Sequence, residues 1–542
     1  MSTILDYPYT TMAALPPSMA KLYGDRAAVI DGDRTMTYTE LAVRSAAIAG
    51  ALRAAGVEER DVVLLYLSNS IEFIVVYYGA LRAGATVTLV NPLQPAPGLH
   101  KQLLETGAVA GFTGTDELAR LQQAADGTRL HTTVVVDTGY APTGSQSLDD
   151  FIAEHAAAPP ISITPDDVAH VAFTGGTTGV SKGVRVLHRN VIGNATQLVA
   201  WRAGHAVTVD DDGLLHLVPR DGAEVRGVVP GDAATVVVSP LFHAHALINM
   251  SFLLLCGATQ ILAGRFHPAR MLALIERHRA TYITGSPAMW HALATDPDVA
   301  TRDLSSVRVV SSGAAPIDRV TLGHLAAAFP GSAVVEGYGL TEATCVVSSA
   351  PLAGDGEYRF GSVGLPIFDT EVAIRGIDDP SSELPAGERG ELWVRGPQVT
   401  GGYLDHPEIT AEQFVDDWLD TGDIAYRDDD GYLYICDRAK DMLIYKGYNV
   451  YPRELEEILT THPDVAAAAV VGQDAGAVGQ LPVAFVVAAP GRTIDEKALM
   501  AFVAEQVLPY KKIREIHVVD QLPVSAAGKI QKVALRAALT VG

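Results

Sequence analysis

The segment Phe173-Thr-Gly-Gly-Thr-Thr-Gly-Val-Ser-Lys-Gly183 gathers four glycines, three threonines and one lysine into eleven residues. Glycines let successive backbone N–H groups turn toward an anion. The hydroxyls of Thr174, Thr177 and Thr178 add donors, and Lys182 adds a point charge, so the set forms a cradle for a polyphosphate. The GxxxxGK[ST] spacing is absent, so the usual strand–loop–helix nucleotide fold is not implied. Lys182 is conspicuous in its own right: only Lys21 and Lys101 share the chain ahead of Asp437 with it.

Such a loop needs strands to hold its ends, and the surrounding pattern supplies them. Thr37-x-x-Glu40 predicts a capping box, and Leu41, Ile48 and Leu52 recur at helical spacing until Gly56. The run DVVLLYL from Asp61 reads as a buried strand, Ile71 to Arg82 as a helix, and ATVTLV as a further strand. Alternation of this kind predicts a mostly parallel sheet covered by helices, and it resumes after Asp167. From Gly387 to Tyr434 short alternating runs such as GELWVRG and GYLYICD predict a β-rich subdomain, placed at about 367–437. Lysines cluster after Asp437, which sets the expected domains: 1–437, then a small α+β domain at 438–542.

Composition bounds the rest. The chain has 542 residues, 48% hydrophobic and 19% charged, which predicts several folded domains and little disorder. With 63 acidic against 40 basic residues the net charge is -23, so neither nucleic acid nor an anionic bilayer is an expected partner. Three dispersed cysteines without a CxxC pair fit a reducing cytoplasm, and the N-terminus lacks the pattern of a signal peptide. The stretch Ala233 to Gly264 has no formally charged side chain, but Pro240, His243, His245, Asn249 and Gln260 interrupt it. It is expected to be a core strand, a loop and a buried helix, not a membrane span.

Several segments, in order, resemble the adenylate-forming superfamily of acyl-CoA synthetases, firefly-luciferase-like enzymes and peptide-synthetase adenylation domains. They are FTGGTTGVSKG, SPLFHAHAL, SSGAAPI, EGYGLTEAT, GSVGLP, GELWVRGPQVTGGY, WLDTGD, DRAKDMLIYKGYNVYP and LPVSAAGKIQK. The resemblance covers nearly the whole chain and implies an α/β fold. Its large N-terminal domain has two α/β subdomains and a small β-rich subdomain, and a small mobile α+β domain follows.

The implied activity is activation of a carboxylic acid by ATP and Mg²⁺ to an acyl-adenylate, then transfer to CoA, giving acyl-CoA, AMP and pyrophosphate. By this resemblance Thr174, Gly175, Gly176, Thr177, Thr178, Gly179 and Lys182 hold phosphates, and Gly313, Ala314 and Ala315 line the adenine and acyl sites. Glu336, Gly337, Tyr338 and Gly339 shape the nucleotide pocket, where the Tyr338 ring stacks on adenine. Thr341 contacts the α-phosphate, and Glu342 helps hold Mg²⁺. Asp423 accepts from the ribose hydroxyls and Arg438 reaches the same nucleotide. Lys529 is the implied catalytic lysine: a cation there bridges two negative groups that must approach each other. The small domain would rotate about Lys440 between half-reactions, with Gly447 and Tyr448 at the CoA site.

The acyl site is expected at His243, Ala244, Ala246, Ala314, Gly339, Val346 and Val347, with Met289 and Trp290 as a possible neighbouring wall. Those residues are mostly small or apolar, which favours a hydrophobic acid, and no aspartate in SPLFHAHAL is available to pair an α-amino group. Residues 206–228 look like an insertion, expected as a surface hairpin. Other readings stay open: an acyl-AMP ligase or amide synthetase that passes the adenylate to a carrier protein or amine, a luciferase-like oxygenase, a non-catalytic nucleotide-binding sensor or scaffold, and a homodimer as the assembly.

Overall fold

The structure is a computed structural model that describes residues 4–155, 157–174, 181–222, 227–313, 317, 319–352, 358–377, 379–446, 448–524 and 530–540. The chain divides into two compact units. The larger comprises Met1–Phe360, Gly364–Glu371 and Arg395–Leu419; the smaller comprises Gly361–Val363, Val372–Val394 and Asp420–Gly542.

In the larger unit the expected alternation is present. A seven-stranded sheet runs in the order Gln146–Ser147, Thr132–Val135, Ala110–Thr113, Val62–Tyr66, Thr86–Leu89, Val168–Thr174, Lys182–Leu187. All neighbours are parallel except the last pair, which is antiparallel. Of the helices flanking this sheet, Tyr38–Ala54 leads into the strand Val62–Tyr66 from another sheet, and Ile71–Arg82 is the crossover that the parallel pair Val62–Tyr66 and Thr86–Leu89 needs. The first opens with the predicted box: Glu40 N–H donates to Thr37 Oγ1 at 3.1 Å and Thr37 N–H to Glu40 Oε2 at 2.7 Å. The second is buried nearly all round, as its apolar sequence requires.

A second sheet in this unit holds Tyr282–Gly285, Val309–Ser312, Ala333–Gly339, Val346–Ser349 and Leu365–Pro366. Its first three strands are parallel and the rest antiparallel. The uncharged stretch after Ala233 becomes a strand, Ala234–Val237, a buried helix, Ala244–Leu255, and another strand, Thr259–Leu262. Among the described residues no helix is long and apolar enough to cross a membrane. The expected hairpin is present, His205–Val209 against Leu215–Pro219. Its turn is closed by Asp210, whose carboxylate accepts from Leu214 N–H at 2.8 Å and lies 2.8 Å from His216 Nε2.

The smaller unit contains an α+β module. Strands Val465–Asp474, Gln480–Ala488 and Glu515–Val518 form a sheet, flanked by helices that include Pro452–Thr460 and Lys532–Thr540. Asp437, which is buried, and Glu456 and Lys532, which are half-buried, form a polar cluster there, with Lys532 Nζ 2.8 Å from Glu456 Oε1.

Candidate active site

The strands Val168–Thr174 and Lys182–Leu187 pair so that Thr174 faces Lys182. Ser181 Oγ donates to Thr174 O at 2.7 Å, which pins the two ends of the Gly/Thr loop together. Gly175, Gly176, Thr177, Thr178 and Gly179 lie outside the described residues, as do Ala314, Ala315, Gly447 and Lys529.

Backbone pairing decides what stands beside Lys182. The edge of its strand takes up residues 401–404: Arg185 N–H donates to Gly402 O at 2.8 Å and Leu404 N–H to Gly183 O at 2.8 Å. Gly402 sits at φ +85, where an added Cβ would come within 2.2 Å of Thr410 Cγ2, so this turn requires glycine. Tyr403 is thereby set with its ring 5.1 Å from Lys182 Nζ, a cation–π distance. Its hydroxyl lies 2.8 Å from Glu342 Oε1 and 2.9 Å from Gln413 Oε1. Burial, together with the Glu342 carboxylate, pushes the Tyr403 phenol well above its ordinary range, so it stays a neutral donor.

Glu342 itself comes from a single 3₁₀ turn, Thr341–Ala343, that follows the strand Ala333–Gly339. Thr400 N–H donates to Glu342 O at 3.0 Å, and Thr344 Oγ1 donates to Gln398 O at 2.7 Å while Thr344 sits at φ +61. Gly339 allows the turn: an added Cβ would lie 1.5 Å from Cys345 O. Tyr338 is half-buried on the same strand, opposite Ser348. Glu336 is only 3% exposed, and its carboxylate accepts from Ile317 N–H at 3.1 Å and the Tyr358 hydroxyl at 2.9 Å. That use positions the strand and the segment around Ile317. Thus Lys182, Thr341 and Glu342 are brought to one place. Tyr403 and Gln413, which complete it, were not singled out from sequence; Tyr403 closes the quoted GGY run, and Gln413 carries no motif signal.

The expected acyl walls are held by a polar helix face. Asn190, Asn194 and Gln197, spaced four and three apart on His188–Leu198, project from one side. Asn190 Nδ2 donates to Pro397 O and Val399 O, Asn194 makes a two-way bond with the backbone of Val346, and Gln197 Nε2 donates to Phe368 O at 2.6 Å. This fixes the strand that carries Val346 and Val347. Another expected acyl-site residue, His243, caps Ala244–Leu255, with its ring 4.4 Å from that of Phe242. His245 lies next to Gly313, whose added Cβ would stand 3.7 Å from His245 Nε2. Burial first, then the Arg202 and His243 charges, lower the His245 pKa to about 4.

In the smaller unit Asp423 and Arg438 are register partners on adjacent strands, and Arg438 Nε lies 3.6 Å from Asp423 Oδ1. Lys440 is exposed just beyond, where Asp441 N–H and Met442 N–H both donate to Arg438 O at 3.0 Å. Tyr448 is 56% exposed, and its ring stacks on Tyr510 with centroids 4.5 Å apart.

Glu342 is fit for a Mg²⁺ that also takes substrate phosphate, since such sites use one or two carboxylates and leave the other positions to phosphate and water. Among the described residues no group of three His, Cys, Asp or Glu could hold a metal unaided.

The strand-paired Gly/Thr loop, the Thr–Glu turn and the Asp–Arg strand pair are the candidate elements of the site, and comparison with known proteins identifies the class. Residues 18–404 match the family described as AMP-binding enzyme, and residues 454–529 match the AMP-binding enzyme C-terminal domain. The chain is 36% identical over 527 residues to 4-coumarate--CoA ligase 2 of Oryza sativa subsp. japonica, covering 93% of this chain and 88% of that one. ATP-bound MatB from Rhodopseudomonas palustris superposes with a TM-score of 0.85 at 28% identity, over 98% of this chain and 99% of that one. A benzoate CoA ligase from Burkholderia xenovorans LB400 does so at 0.82 and 26%, over 97% and 100%. The chain belongs to the AMP-binding enzyme family, with that family's large N-terminal and small C-terminal α/β domains.

Proposed function

We propose that this chain is an AMP-forming acid–CoA ligase whose acid has an apolar body. In the first half-reaction a carboxylate oxygen of the acid attacks the α-phosphorus of ATP. The bond from that phosphorus to the bridging oxygen breaks, and pyrophosphate leaves with the electron pair. In the second, the CoA sulfur attacks the acyl carbon, the bond to the adenylate oxygen breaks, and AMP departs.

The observation that carries the reading is the Lys182–Tyr403–Glu342 arrangement beside Thr341. Lys182 places a positive charge at the mouth of the phosphate loop, and Thr341 adds a hydroxyl toward the α-phosphate. Glu342, oriented by Tyr403, would hold Mg²⁺, which when bound neutralises charge on the triphosphate. Tyr338 stacks on adenine, and Asp423 with Arg438 takes the ribose. Lys529 offsets repulsion between carboxylate and α-phosphate, while Gly447 and Tyr448 serve CoA, with Lys440 as the hinge between steps. Ala244, Ala246, Val346 and Val347 are the apolar walls. Three free cysteines and the strongly acidic balance favour a cytoplasmic setting. Pyrophosphate release with ATP, Mg²⁺ and a panel of acids, followed by product mass with and without CoA, tests the reading. No release with any acid would refute it.

A further inference from the structure

The polar helix face that braces the acyl wall does not stop at Gln197. The helix continues into a π turn, Val199–Ala203, a local widening that recurs at functional sites. That turn delivers Trp201 and Arg202 to the same strand: Trp201 Nε1 donates to Ala350 O at 3.3 Å, and Arg202 Nη2 donates to Ser349 Oγ.

Arg202 is 4% exposed, and its Nε and Nη1 have no hydrogen-bond partner. No carboxylate among the described residues lies within ion-pair distance of it. The chain at Gly227 and Val228 packs on the Arg202 backbone. Val228 N–H donates to Arg202 O at 2.9 Å, and only glycine fits at 227, where a Cβ would lie 2.5 Å from Arg202 O. The guanidinium is bonded to Ser349 on the strand that carries Val346 and Val347, and its charge acts on His245, next but one to His243. His245 is held from behind by Asn249, whose Nδ2 donates to its carbonyl at 2.7 Å.

A buried guanidinium with two unpartnered donors is costly, and a protein keeps one where a ligand supplies the counter-charge. Hydroxyls and amides would satisfy its donors but not its charge, whereas a carboxylate matches both, with a planar two-oxygen face for Nε and Nη1.

We infer that the acid carries a second carboxylate at the end remote from the one activated, and that Arg202, with His245 and Ser349 beside it, binds it. Arg202 is then a specificity-determining residue at the distal end of an otherwise apolar acyl site. The inference rests on the ligase reading above and names its substrate class.

The test uses the full chain with ATP, Mg²⁺ and CoA. Straight-chain α,ω-diacids and carboxyaryl acids over a ladder of lengths are each compared with the monoacid and the ω-hydroxy acid of the same skeleton. For the best-fitting skeleton the diacid should exceed both analogues in kcat/KM by about tenfold or more, as expected of a pocket built around a polar group. Arg202→Met should lower the diacid by about a hundredfold and leave the monoacid within about threefold, with Arg202→Lys between. Monoacids or hydroxy acids favoured at every length would overturn the inference, and so would equal loss of all substrates in a folded Arg202→Met. The wild-type ranking needs no variant and decides even if Arg202→Met fails to fold. Turnover confined to monoacids removes this inference alone; absence of pyrophosphate release with every acid removes the ligase reading and this inference with it.

Discussion

The Tyr403 hydroxyl stands 2.8 Å from Glu342 Oε1 while the Tyr403 ring faces the Lys182 ammonium at 5.1 Å. One side chain therefore links the cation of the phosphate loop to the carboxylate expected to hold Mg²⁺. Tyr403→Phe keeps the ring over Lys182 and removes the hydrogen bond. It should lower adenylation kcat/KM by about tenfold and raise the Mg²⁺ concentration needed for half-maximal rate, as loss of one charged hydrogen bond costs about 1.5–3 kcal/mol. Pyrophosphate release across a Mg²⁺ titration checks this, and an unchanged Mg²⁺ dependence would contradict it.

Gly339 is held against Cys345 O so closely that any Cβ must displace backbone. Gly339→Ala should cost about 3 kcal/mol or more and abolish adenylation, because the Thr341–Glu342 turn springs from that contact. Thermal unfolding and pyrophosphate release report the two effects. A variant with wild-type stability and activity would refute the close approach.

Asp423 and Arg438 pair across neighbouring strands. Asp423→Asn preserves shape and removes the charge that would receive ribose hydroxyls. The expected result is a KM for ATP raised by about tenfold with little change in melting temperature, since charged hydrogen bonds exceed neutral ones by about this margin. An unaltered KM would remove Asp423 from nucleotide binding.

His170 and His188 are buried in the larger unit, and burial lowers their pKa values to about 3 and about 4. His188 Nδ1 accepts from Met12 N–H at 3.1 Å, which also favours the neutral ring. The unfolded chain binds protons at these positions near pH 6.5 while the folded chain does not. The neutral-histidine contribution is therefore full above pH 6.5 and is lost as pH falls toward the folded values. Between pH 7 and 5 each histidine should withdraw about 2 kcal/mol. Urea unfolding over that range checks this, with His170→Gln flattening the slope; a wild-type stability that rises on acidification would contradict it.

Local features were legible in the sequence. The capping box of Thr37 and Glu40 spans one helical turn, and strands such as Val62–Tyr66 declare themselves by continuous apolar runs. The family's motifs point to the nucleotide residues because their order along the chain is the signal. Contacts between distant segments carried no such signal. Tyr403 meets Glu342 from 61 positions away and Arg202 meets Ser349 from 147. Neither pairing follows from periodicity, since each depends on which strand edge receives which loop. The residues expected to line the acyl site do not include Arg202 for that reason. A lone arginine after a helix with a polar face carries no sign in the sequence that it is buried.

The central claim is that one chain joins an acid to ATP and then to CoA through a common adenylate. The most direct measurement is product mass spectrometry of reactions with ATP, Mg²⁺ and a panel of acids, each run with and without CoA, in wild type and Lys529→Ala. Wild type should form acyl-adenylate without CoA and acyl-CoA with it, and Lys529→Ala should lose adenylate formation yet still thioesterify supplied acyl-adenylate. Adenylate that accumulates in wild type despite CoA, or a Lys529→Ala enzyme that adenylates normally, would contradict the account.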